Sequence, residues 1–311
     1  MPTQRRCNSM NVSELTLVEL RQRLTTAGLC FGCGPFRIRL RTPIAELLHD
    51  LYAHYPVYSE LGIDDYRVKL DWASWSRRWV RPIVRFTADG PAPFTDVPVS
   101  RALPTLEWGT NWCIATRAHH FLMLHAAVVE RNGCGLILPA LPGHGKSTLC
   151  AALTHSNWRL FSDEFGLVRP EDAMLIPLPR LISLKNQSID VIRAFAPNAH
   201  FGPLFYGTHK GTVAHVRPPL NSVVRMNEPV KPSLIIFPRW QSGALLNLES
   251  IPKDRAFMLL ATNAFNYEVL GELAFNAVAK IVQNCDSYSL VYSDLTQAVQ
   301  AIDELAHNAH D

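Results

Sequence analysis

The sequence holds no apolar run near the roughly 18–20 residues that a membrane span needs, so no membrane partner is expected. It has no block of one charge either. Its 30 Lys and Arg stand against 27 Asp and Glu, and a net charge of +3 is too small to point to nucleic acid. Arg5 and Arg6 are followed by no apolar stretch, which argues against a secretory signal and for a cytoplasmic protein. The even cysteine count of a disulfide framework is missing. Seven scattered cysteines argue for free thiols instead. Cys30-Phe31-Gly32-Cys33 is the one close pair, and no second pair completes a zinc site, so a glycine-containing turn leading into a strand is expected there. Internal repeats and low-complexity segments are absent too.

What is present is a chain of 311 residues, 48% hydrophobic, enough for a sizeable core in one large or two smaller domains. Two parts are expected, 1–117 and 118–311, with mixed helices and strands in both. In the first, 16–27 and 44–52 have helical patterns. Residues 36–40 alternate apolar and basic as a half-exposed strand does, and 66–70 and 80–86 read as further strands. Trp72, Trp75 and Trp79 lie between them, and packing within a small sheet is the expected role, with a peptide-docking surface as the alternative. In the second part, 124–130, 136–139, 159–161, 234–237 and 289–292 read as strands. Helices are expected over 148–153, 188–195 and 295–306. Val269, Leu270, Leu273, Ala274, Ala277, Val278 and Ile281 recur at helical spacing on one face. Many short strands around one loop are less regular than a strictly alternating doubly wound fold.

That loop is the strongest chemical signal. The apolar run Leu136-Ile137-Leu138 leads into Ala140-Leu141-Pro142-Gly143-His144-Gly145-Lys146-Ser147-Thr148, and a helix pattern follows. Strand, glycine loop, Gly-Lys-Ser and helix form the context of a phosphate-binding loop. Backbone N–H groups from Gly143 to Lys146 can wrap a β-phosphate, helped by the helix N-terminus. Lys146 reaches the β/γ oxygens and the Ser147 hydroxyl can ligate Mg²⁺. The expected ligands are therefore ATP, held by residues Pro142, Gly143, His144, Gly145, Lys146, Ser147 and Thr148, and Mg²⁺. Ala140 stands where the first glycine of such loops usually stands, tolerable if its φ stays negative.

Two further features keep register with the loop. His125 precedes Lys146 by 21 residues, and Asp163 follows it by 17, with Glu164 next. A kinase needs an acceptor for the proton of the attacking hydroxyl near the γ-phosphate, and a carboxylate ending the strand beside the loop is well placed. With His125-Ala126 before the loop and Arg159-Leu160-Phe161-Ser162-Asp163-Glu164 after it, the stretch 124–168 resembles the C-terminal kinase domain of the HPr kinase/phosphorylase family. Lys185-Asn186-Gln187-Ser188-Ile189-Asp190 and Lys210-Gly211-Thr212-Val213-Ala214-His215 look like a divergent branch, the HPr-related kinases.

The resemblance implies a mixed α/β (α+β) protein. Its 118–311 part would be a P-loop kinase domain related to phosphoenolpyruvate carboxykinase, behind a small α+β substrate or partner domain. It implies Asp163 as the catalytic acceptor, Glu164 with Ser147 as metal ligands, and His125 as a phosphate-charge or Asp163-orienting group. Arg180, Lys185, Lys210 and Arg217 are candidate cations for the transferred charge, with Lys210 preferred because Gly211 permits close approach. The family usually has glutamate where this chain has Thr148, and a second aspartate where it has Glu164. No segment matches the glycine- and arginine-rich one that bacterial family members use near their target serine. The implied activity is transfer of the γ-phosphate to a serine of a protein or peptide, such as one from a peptide-modification system, in an enzyme that is often a homo-oligomer. A small-molecule hydroxy-amino-acid kinase and a non-catalytic nucleotide-binding regulator are the alternatives. An acidic peptide pairing with strand 36–40 is the expected docking mode of the first part.

Overall fold

A computed structural model describes residues 10–59, 61–90, 92–141 and 143–308. The chain divides into two compact units. One runs to Ile114 and also takes in Gly202–Val213; the other comprises Ala115–Phe201 and Ala214–Asp311. Among the described residues no helix is long and apolar enough to cross a membrane.

The first unit starts with α1 (Leu17–Thr25), shorter than the expected 16–27. Thr16 caps it: its Oγ1 accepts the Glu19 N–H at 3.2 Å, and Glu19 Oε2 accepts the Thr16 N–H at 2.8 Å. Leu20 and Leu24 are the face it buries. A five-stranded sheet follows in the order β1 (Leu29–Cys33), β2 (Phe36–Arg41), β3 (Tyr66–Trp72), β4 (Ile83–Ala88) and β5 (Val97–Pro98). The 80–86 strand thus begins later than expected. The Cys30–Cys33 pair lies inside buried β1 and not in a turn, and neither cysteine is in a disulfide. Residues three apart on a strand point to opposite faces, which keeps the two sulfurs from pairing.

The alternation of β2 is carried through β3 and β4. Phe36, Ile38, Leu40, Tyr66, Val68, Leu70 and Phe86 are buried on one face, while Arg37, Arg39, Arg67, Lys69 and Arg85 stand on the other. Helix α2 (Ala45–Leu51) buries Leu48 and Leu51. Helix α3 (Ala102–Arg117) went unforeseen because it is buried on nearly every side and mixes polar residues such as Glu107 and Thr110 into that burial, so it shows no 3.6-residue stripe, and it carries Pro104 and Gly109. Gly109 lets the Phe86 ring lie against the helix, since a Cβ there would overlap that ring. A hairpin of Phe205–Thr208 and Gly211–Val216 sets His209 edge-on to Trp108 of α3, ring centres 4.2 Å apart.

Two expectations fail in this unit. β2 is hydrogen-bonded to β1 on one side and β3 on the other, so it has no free edge for a peptide strand to join. The tryptophans do not pack together within the sheet either. Trp75 and Trp79 are 83% and 69% exposed on the loop joining β3 to β4.

The second unit is built on an eight-stranded mixed sheet. Its members are β6 (Leu122–Arg131), β7 (Cys134–Pro139), β8 (Arg159–Ser162), β9 (Phe165–Val168), β10 (Leu175–Ile176), β14 (Pro232–Trp240), β15 (Asn247–Ser250) and β16 (Asp286–Tyr292). Between β10 and β14 come β11 (Ile182–Lys185), the two hairpin strands β12 and β13 named above, and helices α5 (Gln187–Phe195) and α6 (Leu220–Val224). β6 and β7 form a hairpin on Asn132-Gly133, whose φ values of 53° and 85° supply the left-handed pair that a two-residue turn needs. β7, β14 and β16 run parallel at the centre.

Leu124, Ala126 and Val128 of β6 pack with Ile137 and Ile235 against Ala274, Ala277, Val278 and Ile281 of α9 (Glu272–Asn284). Helix α7 (Lys253–Thr262) adds Ala256 and Leu260 to the same core. The expected apolar stripe is interrupted: Gly271, at φ +54°, separates α8 (Tyr267–Leu270) from α9, and Val269 and Leu273 are left 67% and 57% exposed. The opposite face of β6 and β7 is covered by α4 (Lys146–Thr154), which buries Leu149, Cys150 and Leu153. Chain-closing α10 (Leu295–Asn308) packs on α4 and β16. A buried ion pair ties β8 to β6: Arg159 Nε donates to Glu130 Oε2 at 2.5 Å, and Arg159 Nη1 bonds the Arg225 carbonyl at 2.8 Å.

Candidate functional site

The glycine loop lies where the parallel strands end. β7 stops at Pro139 and α4 begins at Lys146. Gly143 and Gly145 both sit in the left-handed region, at φ +88° and +83°, and Gly145 caps α4. Their surroundings differ. A Cβ on Gly145 would lie 2.8 Å from the Tyr292 hydroxyl and 3.0 Å from Trp240 Cβ, whereas one on Gly143 would meet nothing within 4 Å. One glycine therefore backs onto protein and the other opens outward. The loop is held from behind by β14 and β16. The Trp240 N–H donates to the His144 carbonyl at 3.1 Å, and the Tyr292 hydroxyl reaches the Gly145 carbonyl at 3.5 Å. Gly145 also accepts the Leu149 N–H at 2.9 Å, the first helical bond of α4. Ala140 is buried and its φ is not positive, so its methyl fits. Pro142 lies outside the described residues. Thr148, one residue past Ser147, faces the cavity described below.

Lys146 and Asp163 are each only 9% exposed, yet each keeps a polar atom without a hydrogen-bond partner among the described residues: Lys146 Nζ and Asp163 Oδ1. Burial holds the Lys146 ammonium below its usual pKa, against the pull of Asp163 and Glu164. Burial likewise raises the Asp163 carboxyl, against the Lys146 charge and the pull of the nearby Ser147 hydroxyl. Asp163 Oδ2 accepts the Ser183 N–H of β11 at 3.3 Å. Leaving a buried polar atom unpaired costs about 1–3 kcal/mol, so two such atoms of opposite charge beside one glycine loop make this the candidate site.

The sheet places the other candidates. Val128 pairs with Ser162 and His125 with Phe165, so Ala126 and Ala127 oppose the Asp163-Glu164 corner. The Ser162 hydroxyl closes that corner by accepting the Glu164 and Phe165 N–H groups at 3.3 and 3.0 Å. His125 stands next along β6, its ring 5.2 Å from Phe265, which in turn lies 4.9 Å from Phe165. Glu164 is half-buried and its charge acts on both Lys146 and Asp163. Of the candidate cations, Lys185 at the end of β11 is the one whose charge acts on Lys146. Lys210 belongs to the first unit, its Nζ 5.3 Å from the centre of the Trp108 ring.

Beside the loop opens a cavity of about 630 Å³, with Gly143, Gly145 and Thr148 on one wall, Val191 and Phe195 of α5 on another, and Trp240 and Tyr292 at its base. Gln187, Ser188 and Asp294 supply polar edges. It lies at the carboxyl ends of β7, β14 and β16, the edge at which parallel sheets bind ligands. Trp240 and Tyr292 were not foreseen as site residues; they are the last residues of β14 and β16 and so stand at that edge.

Among the described residues no group of three or more His, Cys, Asp or Glu could hold a metal on its own. Mg²⁺ does not require one, since it binds through one or two carboxylates and the phosphates of its nucleotide. Ser147 and Glu164 offer hard-oxygen donors that fit this ion, next to the unfilled Asp163 Oδ1. No protein-family model matches the chain, and no curated protein matches it.

Proposed function

We propose that this protein is an ATP- and Mg²⁺-dependent kinase that transfers the γ-phosphate to a hydroxyl, a serine of a protein or peptide. The observation that carries the reading is the pair of buried, unpartnered atoms, Lys146 Nζ and Asp163 Oδ1, at the head of a left-handed glycine loop. The likeness of 124–168 to the HPr-kinase domain supports the same reading and a fold of that type for the second unit.

Backbone N–H groups of Gly143 to Lys146 and the start of α4 hold the β-phosphate, and Lys146 bridges to the γ-phosphate oxygens. Ser147 and Glu164 would hold Mg²⁺, which would supply neutralisation of the phosphate charge. The nucleoside enters the cavity between α5 and the Trp240–Tyr292 edge. Asp163 orients the acceptor hydroxyl. As its oxygen bonds to the γ-phosphorus, the bond from that phosphorus to the β–γ bridging oxygen breaks, ADP leaves, and the hydroxyl proton passes to the Asp163 carboxylate. The raised pKa of Asp163 makes it a stronger base than an exposed carboxylate. His125 orients Asp163 and balances charge, and Lys185 is a second cation beside the transferred group. The test is incubation with Mg-ATP and the proteins encoded by neighbouring genes, followed by mass spectrometry. A phosphorylated hydroxyl product, with ADP formed only when acceptor is present, is expected. ATP left intact with every acceptor, or a phosphorylated free hydroxy-amino acid as the sole product, defeats the protein-kinase reading.

A further inference from the structure

The first unit carries a surface that the phosphate chemistry does not use. The loop 73–82 between β3 and β4 puts Trp75, Trp79 and Val80 into solvent at 83, 69 and 65% exposure. Three arginines share it: Arg77, Arg78 and Arg81. The Arg78 guanidinium lies 5.1 Å from the centre of the Trp79 ring, a cation–π arrangement that presents the two side chains together. No acid occurs from Ala73 to Thr87. Exposed indoles beside arginines are the residue types that dominate binding energy at interfaces.

The basic character does not stop at the loop. It continues along the outer face of the sheet through Arg85, Lys69 and Arg67, all exposed, at registers Asp71–Arg85 and Lys69–Thr87, with the half-buried acid Asp71 between Arg85 and Lys69. From Trp72 back to Arg67 this track runs about 17 Å at a strand rise of about 3.4 Å per residue. Next to Lys69 stands Arg41, whose Nε is buried without a hydrogen-bond partner.

We infer that this loop and track dock an extended, acidic polypeptide. Its carboxylates would meet Arg78, Arg81 and Lys69, which enter no ion pair among the described residues, and its apolar side chains would rest on Trp75 and Trp79. Charge complementarity selects the partner's sign, and the length of the track selects its shape, because a flat bilayer touching the loop tip would not follow the face of a strand. Nucleic acid fits less well. Duplex DNA presents a charge about every 1.7 Å, whereas Arg37, Arg39 and Arg67 are already tied to Asp64, and Arg85 to Asp96. Contact is made by side chains across the face, as β2 has no edge to offer. The inference goes beyond the kinase reading and does not depend on it, since docking requires no transfer.

The experiment uses the full chain and a fluorescein-labelled peptide of about ten residues, glutamates with two tyrosines, long enough to span the track. Fluorescence anisotropy should show saturable binding that weakens with added salt. Arg78→Glu/Arg81→Glu should weaken it about ten-fold or more, and Trp75→Ala/Trp79→Ala by a similar factor. Circular dichroism should show both variants folded, and Lys146→Ala should bind the peptide as wild type does. Equal binding by wild type and both double variants overturns the proposal. So does a wild-type protein that ignores the peptide while sedimenting with phosphatidylserine vesicles or binding a single-stranded oligonucleotide.

Discussion

The first unit buries Asp64 among Arg37, Arg39 and Arg67, with Arg39 Nε at 2.6 Å and a hydrogen bond from the Cys30 thiol. The second unit buries Asp163 beside Lys146 and leaves a carboxylate oxygen and an ammonium without partners. Both places remove charge from water, and both incur the desolvation cost. In the first unit, burial pushes the Asp64 carboxyl up, but bonds from Arg39, Cys30 and Arg37 outweigh it and bring the pKa to about 2. In the second, burial wins and the Asp163 carboxyl stays raised. The difference separates charge whose partners the chain supplies from charge that, on the proposed reading, a bound nucleotide would meet. The buried Glu130–Arg159 pair, in the same unit as Asp163, belongs with the first kind.

The largest effect should come from spoiling the ready charge. Asp163→Asn is expected to bind Mg-ATP within a few-fold of wild type while losing about 10²–10⁴ in transfer rate, read from initial rates of ADP formation. His125→Ala should lose less, because its proposed role is orientation and charge balance. Next in size is the structural carboxylate. Asp64→Ala strands two largely buried arginines and should cost about 3 kcal/mol in chemical denaturation. The double change Lys146→Met/Asp163→Asn removes a desolvated pair of charges, so it should leave the melting temperature equal or higher. If that double variant loses as much stability as Asp64→Ala, the contrast between the two sites is wrong.

The glycines sharpen the comparison within one loop. Gly145→Ala meets Tyr292 and Trp240 as well as left-handed strain, and should cost more than the roughly 1–2 kcal/mol of strain alone. Gly143→Ala should cost no more than the strain. Acid should separate the two carboxylates with the smallest signal. The folded pKa of Asp64 is depressed, so its contribution to stability is full above about 3.8 and is lost as pH falls toward about 2. The raised folded pKa of Asp163 acts oppositely. It favours the folded state below the unfolded value, and that advantage is lost as pH rises through the folded one. The acid limb of kcat/KM should therefore lie above the ordinary carboxylate range and vanish in Asp163→Asn.

The elements around the loop were legible because their signals are local. A buried apolar run, two glycines able to take positive φ and a helix pattern sit side by side in the sequence, and so do the alternating residues of β2. What stayed hidden depended on distant partners. Nothing local says that Asp163 keeps an unfilled oxygen while Asp64 is ringed by arginines, since both are acids beside apolar strands. α3 was missed because burial on every side removes periodicity. Trp75 and Trp79 were expected to pack, because composition cannot tell a tryptophan that fills a core from one that a ten-residue loop carries into water. The 269–281 stripe ignored Gly271, whose left-handed φ breaks it in two.

The most direct measurement is calorimetric titration of Mg-ATP into wild type and Lys146→Ala, with Asp163→Asn alongside. The expected result is saturable binding by wild type, near-wild-type binding by Asp163→Asn, and a loss of about two orders of magnitude in Lys146→Ala, from removing a buried charge aimed at the phosphates. Equal affinity in wild type and Lys146→Ala would contradict the claim that this loop and its unpartnered ammonium exist to hold a nucleotide.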